Sequence, residues 1–490
     1  MKKIAIIGAG LGGLTAAISL ASQGYQVDIF EKNNHCGGKL MPYELGTHKF
    51  DFGPNTITMP HIFKQVFEIA GEKAEDYIQF IKLPIHTRNI FSNGTEFDFT
   101  NDFVYMKKQL EQLDSYGRTQ FDSFIKEITR LYNLSEKHFF FKTFENLSDY
   151  LAPKLGMALL QVRPNESLHH FFSRYFQTKE VIEAFSRYAT YIGSSPYVSP
   201  ATFSLIAYLE LVQGVYYIKG GNVQLAQAYE QLAKKLNVNI HLNTKVTNIH
   251  VENKKVKHIE FENRENYLPD EVIMNADLLK AYPELVNEAN RPHFTTKKRD
   301  RYQPSISAFV ILAGLNVRND QLLHHNVYFS NDYQQEFKDL FTHHRYSDNP
   351  TIYISNSSYT DKTQSPDGDN LFILVNAPPL QKDGKLGIDS EEYKKRIYQL
   401  LEDKGLSIRK HLVHEKIITP QYIAEKFGAY RGALYGLSSN NKLDAFLRPS
   451  NFSRDISNLS FVGGSTHPGG GSPMVVISGL NVATVLSKRK

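Results

Sequence analysis

Residues 4–17 constrain this chain more than any other stretch. An apolar run, Ile4-Ala5-Ile6-Ile7, enters Gly8-Ala9-Gly10-Leu11-Gly12-Gly13 and continues as Leu14-Thr15-Ala16-Ala17. The pattern predicts a buried strand that becomes a helix through a bend without Cβ atoms. There the backbone can approach a pyrophosphate, and the helix N-terminus offers free N–H groups and positive dipole charge to hold it. The glycines alone are a weak signal. Their weight comes from a second strand, Gln26-Val27-Asp28-Ile29-Phe30, that ends on Glu31, where a carboxylate would accept hydrogen bonds from an adenosine ribose. In this βαβ context a Gly-rich packing turn without a ligand is the weaker reading.

After Glu31, the segment Lys32-Asn33-Asn34-His35-Cys36-Gly37-Gly38-Lys39 resembles the second dinucleotide-binding element of FAD oxidoreductases, in which backbone and a cation lie along the pyrophosphate. A nicotinamide enzyme has no need of it. Too few residues precede Gly8 to form the apolar core of a secretory signal. Cys36 is the single cysteine, so an intrachain disulfide or a cysteine-based zinc cage is excluded. Its place beside Gly37 suggests a steric role. The net charge of +5 is spread along the chain and favours an anionic membrane surface slightly, without indicating nucleic acid. No window approaches a spanning helix.

At 490 residues the chain exceeds one core, and subdomains are expected. Residues 216–249 read as a loop through Gly220-Gly221, a helix with Leu225, Ala226, Tyr229, Leu232 and Ala233 at helical spacing, and two strands meeting near Val246. This segment should return to the nucleotide-binding sheet, with 270–277 as one more strand. Residues 101–212 read as helical and aromatic-rich, with Phe121, Phe124, Ile125, Ile128 and Leu131 on one face. Segments 306–313 and 370–376 read as strands of a separate sheet. The expected architecture is α/β: a Rossmann-type FAD-binding domain (1–85, 216–277 and 421–490), a helical membrane-facing subdomain (86–215) and an interleaved α+β substrate domain whose sheet lies in 278–420.

Near the C-terminus, Leu459-Ser460-Phe461-Val462 enters Gly463-Gly464-Ser465-Thr466-His467-Pro468-Gly469-Gly470-Gly471 and then Ser472-Pro473-Met474-Val475. A strand, a Gly-rich loop and a helix are expected, with Ser472 as N-cap and Pro473 at the first helical position. Such a helix start stabilises the negative charge that develops at the pyrimidine end of a flavin during reduction.

Taken in order, the first glycine motif, Glu31, Gly37-Gly38-Lys39, Asp51-Phe52-Gly53-Pro54, Tyr217-Ile218-Lys219-Gly220-Gly221 and the 464–471 loop resemble the bacterial carotenoid desaturase family, the phytoene desaturase type of FAD enzyme, from end to end. Within it, Gly470-Gly471-Ser472-Pro473-Met474-Val475 and Tyr430-Arg431-Gly432-Ala433-Leu434-Tyr435-Gly436 are more similar to the diapocarotenoid oxygenases than to the desaturases. The resemblance implies FAD as cofactor. It implies oxidation of a terminal methyl of a C30 diapocarotenoid, 4,4'-diaponeurosporene or 4,4'-diapolycopene, to aldehyde or acid, with desaturation of the polyene as the alternative. It places Gly8, Gly10, Gly12, Gly13, Glu31, Gly38 and Lys39 on the adenosine diphosphate portion, Val246 against the adenine, and Gly464, Met474 and Val475 near the flavin ring. An amine-oxidase-type enzyme on the same scaffold, or a non-catalytic flavoprotein, are the other classes; complete phosphate-binding elements favour a working cofactor.

Catalytic groups carry over poorly, because a polyene offers no polar group and positioning dominates. His467 is a proton relay or a loop hydrogen bond; Arg431 is a substrate-end residue or, preferentially, a structural anchor. The doublets His169-His170, His324-His325 and His343-His344 do not make a metal site, since adjacent side chains diverge. A carotenoid dissolved in a bilayer implies a membrane surface as partner, with molecular oxygen or another electron acceptor, and a cytoplasmic chain bound at the inner face of the cell membrane. The segment 136–160, with Phe139-Phe140-Phe141 between lysines and Tyr150-Leu151-Ala152-Pro153 beyond, is the expected contact, beside the plainer reading of a core helix.

Overall fold

A computed structural model describes residues 2–144, 153–385, 387–441 and 445–489. Its N-terminal unit is a five-stranded parallel sheet in the order Leu459–Phe461, Glu271–Met274, Lys3–Ile7, Gln26–Phe30, Asn239–His241. Ile4, Ala5 and Ile6 are fully buried, because helices cover both faces of a parallel sheet and its central strand therefore reads as one apolar run. Each such Ile or Leu contributes about 1.5–3 kcal/mol by leaving water. The helix Leu11–Ala21 packs against the C-terminal helix Ser472–Lys488. The approach is so close that a Cβ on Gly479 would lie 2.5 Å from the Gly12 carbonyl oxygen.

The helix Gln224–Lys235 and the strand Asn239–His241 bring the chain back to this sheet, as the switch of hydrophobic period predicts. Val246–Glu252 does not join it. That strand pairs with Lys255–Phe261 in a hairpin of its own.

The second sheet has seven strands, ordered Leu412–Ile418, Ser307–Leu315, Asn370–Ala377, Ile352–Asn356, His325–Tyr328, Ile85–Ile90, Glu96–Thr100. The strands expected at 306–313 and 370–376 are its centre and pair antiparallel, Val310 opposite Leu374 and Leu312 opposite Phe372. The last two strands correct the expected boundary of the helical segment. Residues 85–100 belong to the sheet by hydrogen bonding, and the helices begin at Phe103. The alternation of Phe97 and Phe99 with polar neighbours carried this information, but only partners at 325–328 make the edge a sheet.

The helical segment roofs one face of this sheet. Asp102 and Asp114 cap Phe103–Leu113 and Ser115–Ser135 by accepting from Val104, Tyr105 and Gly117 amides. The expected face of the second helix is buried through Phe121, Phe124, Ile128 and Leu131, with Ile125 at its margin. Among the described residues no helix is long and apolar enough to cross a membrane.

Candidate active site

A cleft of about 620 Å³ runs between the two sheets, within the size range of small-molecule sites. At one end it is lined by Gly8, Gly10, Gly12, Glu31, Gly38, Lys39 and Val246, at the other by Gly464, Gly471, Ser472 and Val475. Residues separated by more than 400 positions thus share one wall.

The first bend has the geometry of a cradle. Gly8 has φ +101°, and a Cβ there would stand 2.5 Å from the Asn275 carbonyl oxygen. A Cβ on Gly13 would stand 2.4 Å from the Gly8 carbonyl oxygen, so Gly13 sets the distance of helix from strand and does not itself line the cleft. Glu31, 5% exposed, accepts from the amides of Ala9 (2.8 Å) and Asn33 (2.9 Å). This holds its carboxylate across the mouth of the bend. Gly37 donates its amide to the Ala9 carbonyl at 2.8 Å, which lays the second glycine pair against the first. These residues fit an adenosine diphosphate: Cβ-free backbone, a helix N-terminus and an acidic group at the end of the second strand.

Lys39 lines the cleft, and its ammonium group donates to the carbonyls of Ala433 (3.2 Å) and Leu434 (2.5 Å). Burial depresses its pKa while Asp277 opposes the shift. The cation therefore ties the 433–434 turn to the nucleotide end. Cys36 is buried, and burial pushes its thiol up to about 12, which leaves the packing role.

Two residues of the site have roles that the sequence does not display, Asp51 although it stands in one of the motifs noted above. Asn275 donates its side-chain amide to the Gly8 carbonyl at 3.1 Å and lines the cleft, a role visible only once the two strands pair. Asp51, fully within the interior, accepts from the Asn222 (2.7 Å) and Val223 (3.0 Å) amides, and burial lifts its carboxyl to about 6. That clamp holds Phe52, Gly53 and Pro54 as cleft wall.

At the other end the helix Ser472–Lys488 starts one residue earlier than expected. Gly471 is the N-cap, with φ +110°, and Ser472 is the first helical residue without a capping side-chain bond. The chain needs a left-handed cap to turn out of the loop, and glycine takes it without strain. Val475 lines the cleft; Met474 does not, and packs instead against the main core. The remaining wall is apolar and comes from the seven-stranded sheet: Ala308 and Val310 on one strand, Phe372 and Leu374 on the next, with Phe52, Phe427 and Leu434 beside them.

Neither candidate catalytic residue lines this cleft. His467 is 5% exposed, donates Nε2–H to the Phe139 carbonyl at 2.8 Å and meets the Phe144 ring edge-on. Burial lowers its pKa to about 4, so it is neutral at pH 7. Arg431 sits at φ +54°, donates Nε–H to the Leu380 carbonyl and accepts from the Leu380 amide at 2.9 Å. Both hold loops. Of the histidine doublets, His324 and His325 bond different partners, Thr360 and Tyr353. The ligand-type atoms that do cluster among the described residues, on His250, His258 and Glu260, lie on the 246–261 hairpin, away from the cleft lining.

Residues 11–487 match the family described as flavin containing amine oxidoreductase. The chain belongs to that family. It is an FAD-dependent oxidoreductase, and the cleft is where such a cofactor fits. This flavin-containing oxidoreductase is 33% identical to a 4,4'-diaponeurosporene oxygenase of Staphylococcus haemolyticus (strain JCSC1435), over 98% of the chain and 96% of the relative. It is 35% identical to a 4,4'-diapolycopene oxygenase of Methylomonas sp, with the same shares covered. Among solved structures, putrescine oxidase bound to putrescine superposes with a TM-score of 0.63 at 13% identity, covering 100% of this chain and 99% of that one. Cyclohexylamine oxidase from Brevibacterium oxydans IH-35A gives 0.62 at 14%, with the same coverage. At that identity the structures establish the shared fold alone.

Proposed function

We propose that this oxidoreductase oxidises the terminal methyl group of a C30 diapocarotenoid, 4,4'-diaponeurosporene or 4,4'-diapolycopene, to the aldehyde or acid. The observation that carries this is the nearly full-length similarity, 33% and 35%, to two oxygenases named for those two polyenes. The cleft supports it. Its sheet wall of Ala308, Val310, Phe372 and Leu374 offers shape and no ionic partner, as a hydrocarbon requires.

When bound, FAD supplies the two-electron acceptor for this chemistry. The protein's share is positioning. Glu31 and the glycine bend hold the adenosine end, the Asp51 clamp fixes the 52–54 wall, and the N-terminus of Ser472–Lys488 presents free amides where negative charge builds up. Replacing a methyl by an aldehyde exchanges two hydrogens for one oxygen. One atom of dioxygen becomes the carbonyl oxygen and the other leaves with the two hydrogens as water, so dioxygen is the second partner for the aldehyde step.

Delivery of such a substrate implies contact with a bilayer, on the cytoplasmic side by this reading. Phe139 and Phe140 face inward, Phe140 against Tyr132 and Phe139 near Phe446. Exposed apolar surface sits instead on Phe141 (42%), which lies between Lys137 and Lys142 in the chain, and on Met157 (57%) and Leu160 (76%). The expected contacts at 150–152 lie outside the described residues, and so does the exposure of Pro153.

The test is co-expression with a pathway that accumulates either polyene, with and without oxygen, followed by mass spectrometry of the pigments. Added oxygen mass that disappears without air supports the proposal. Stepwise loss of hydrogen pairs without added oxygen replaces it with a desaturase.

A further inference from the structure

The apolar cleft wall does not end at Leu374. Strand register continues the same sheet face to Tyr353, opposite Leu374, and to His325, opposite Ser355, which itself pairs with Phe372. Along this face the side chains change from apolar to polar, beneath the roof of the helical segment. A register shift between Ile85 and Thr87 turns His86 toward the same region, its Nδ1 3.7 Å from Glu210.

The roof supplies the charge. The short 3₁₀ helix Arg187–Ile192 carries Arg187, Tyr188 and Tyr191, and a π-helical turn, Leu209–Gln213, carries Glu210. Arg187 is 5% exposed, and its guanidinium lies over the Tyr191 ring at 5.3 Å. Its Nε and Nη2 are buried without a hydrogen-bond partner, while the Glu210 carboxyl faces the Tyr188 and Tyr191 hydroxyls and the His86 ring without a tight hydrogen bond. A buried cation with unused N–H donors is costly unless something polar enters. Burial raises the Glu210 pKa and so favours its protonated, hydrogen-bond-donating form.

The Arg187 cluster adjoins the flavin end of the cleft. Tyr435 lines the cleft, feels the field of Arg187, and stands where a Cβ on Gly193 would come within 2.8 Å of its ring. Tyr435 lines the cleft, and Tyr191 and Tyr353, between it and Arg187, each keep part of their surface accessible.

We propose that Arg187, backed by Tyr191 and faced by Glu210, binds the carbonyl oxygen at the oxidised end of the polyene, so that an aldehyde is held where a hydrocarbon would make no polar contact. This rests on the carotenoid reading above and adds to it a preference for an oxygenated end group. The donors left unused by the protein, Arg187 Nε–H and Nη2–H, suit one carbonyl oxygen at the tip of an otherwise apolar chain.

The experiment titrates the FAD-loaded protein in detergent, without oxygen, with a C30 polyenal and with the hydrocarbon of equal length. Flavin content and thermal midpoint are recorded for wild type, Arg187→Met and Arg187→Lys. Wild type should red-shift the polyenal absorption, because a cation at the carbonyl oxygen stabilises the more polar excited state. Arg187→Met should remove that shift and weaken polyenal binding by on the order of 10-fold or more, with hydrocarbon binding unchanged. Arg187→Lys should restore part of the shift. No red shift in wild type overturns the proposal whether or not Arg187→Met folds, and so does equal weakening for both ligands. Hydrocarbon binding without aldehyde preference overturns this proposal and spares the carotenoid reading; binding of neither ligand overturns both.

Discussion

At the scale of single residues, the site depends on atoms that are absent. A methyl on Gly13 would meet a carbonyl oxygen at 2.4 Å. Alanine favours a helix over glycine by about 1 kcal/mol, but overpacking against fixed backbone costs about 1–3 kcal/mol and pushes helix from strand. Gly13→Ala should therefore purify with much reduced FAD, measured by the flavin-to-protein absorbance ratio, while circular dichroism stays close to wild type. Asp51 works through charge. Its carboxyl is raised to about 6 in the folded protein from an ordinary value of 3.8. The folded state thus binds the proton more tightly, and Asp51 weighs against stability above pH 6 and progressively less as pH falls toward 4. In urea titrations wild type should gain on Asp51→Asn by about 2 kcal/mol between pH 7 and pH 4. A gap that does not change with pH would show that Asp51 titrates normally.

Among the elements, the loop and helix at 463–488 are joined to the turn after Ser135 by two side chains. His467 bonds the Phe139 carbonyl and Asn481 bonds those of Phe140 and Lys142. His467→Ala leaves a buried carbonyl unpaired and should cost about 1–3 kcal/mol. It should also raise hydrogen exchange at 136–144, with the flavin spectrum and its rate of reduction by substrate preserved. A collapse of that rate with unchanged exchange would return His467 to proton transfer. The loop glycines were legible as a flavin-type loop, but the cap was misread by one residue, since Gly471 and Ser472 differ in φ and not in any pattern that a sequence displays.

For the whole molecule, exposed Phe141 and Leu160 lie within the segment 136–160 expected to meet a bilayer. Serine at both positions should reduce co-sedimentation with anionic liposomes several-fold while thermal stability holds, because neither side chain is in the core. Phe140→Ser would instead unfold the turn, Phe140 being only 7% exposed. The sequence by itself determined the nucleotide-binding unit, because strand, bend, helix and Glu31 lie within 31 residues and local φ and spacing constrain them. It also determined the strands expected at 306–313 and 370–376, whose apolar runs fit a covered sheet and which the structure shows at 307–315 and 370–377. What only tertiary structure decided is every partnership over long separations. Asn275 against Gly8, Asp51 against Asn222, residues 85–100 at the sheet edge, and Arg187 beside Glu210 depend on pairings and burial that no local pattern encodes. A buried charge looks like any other arginine until the fold removes its water.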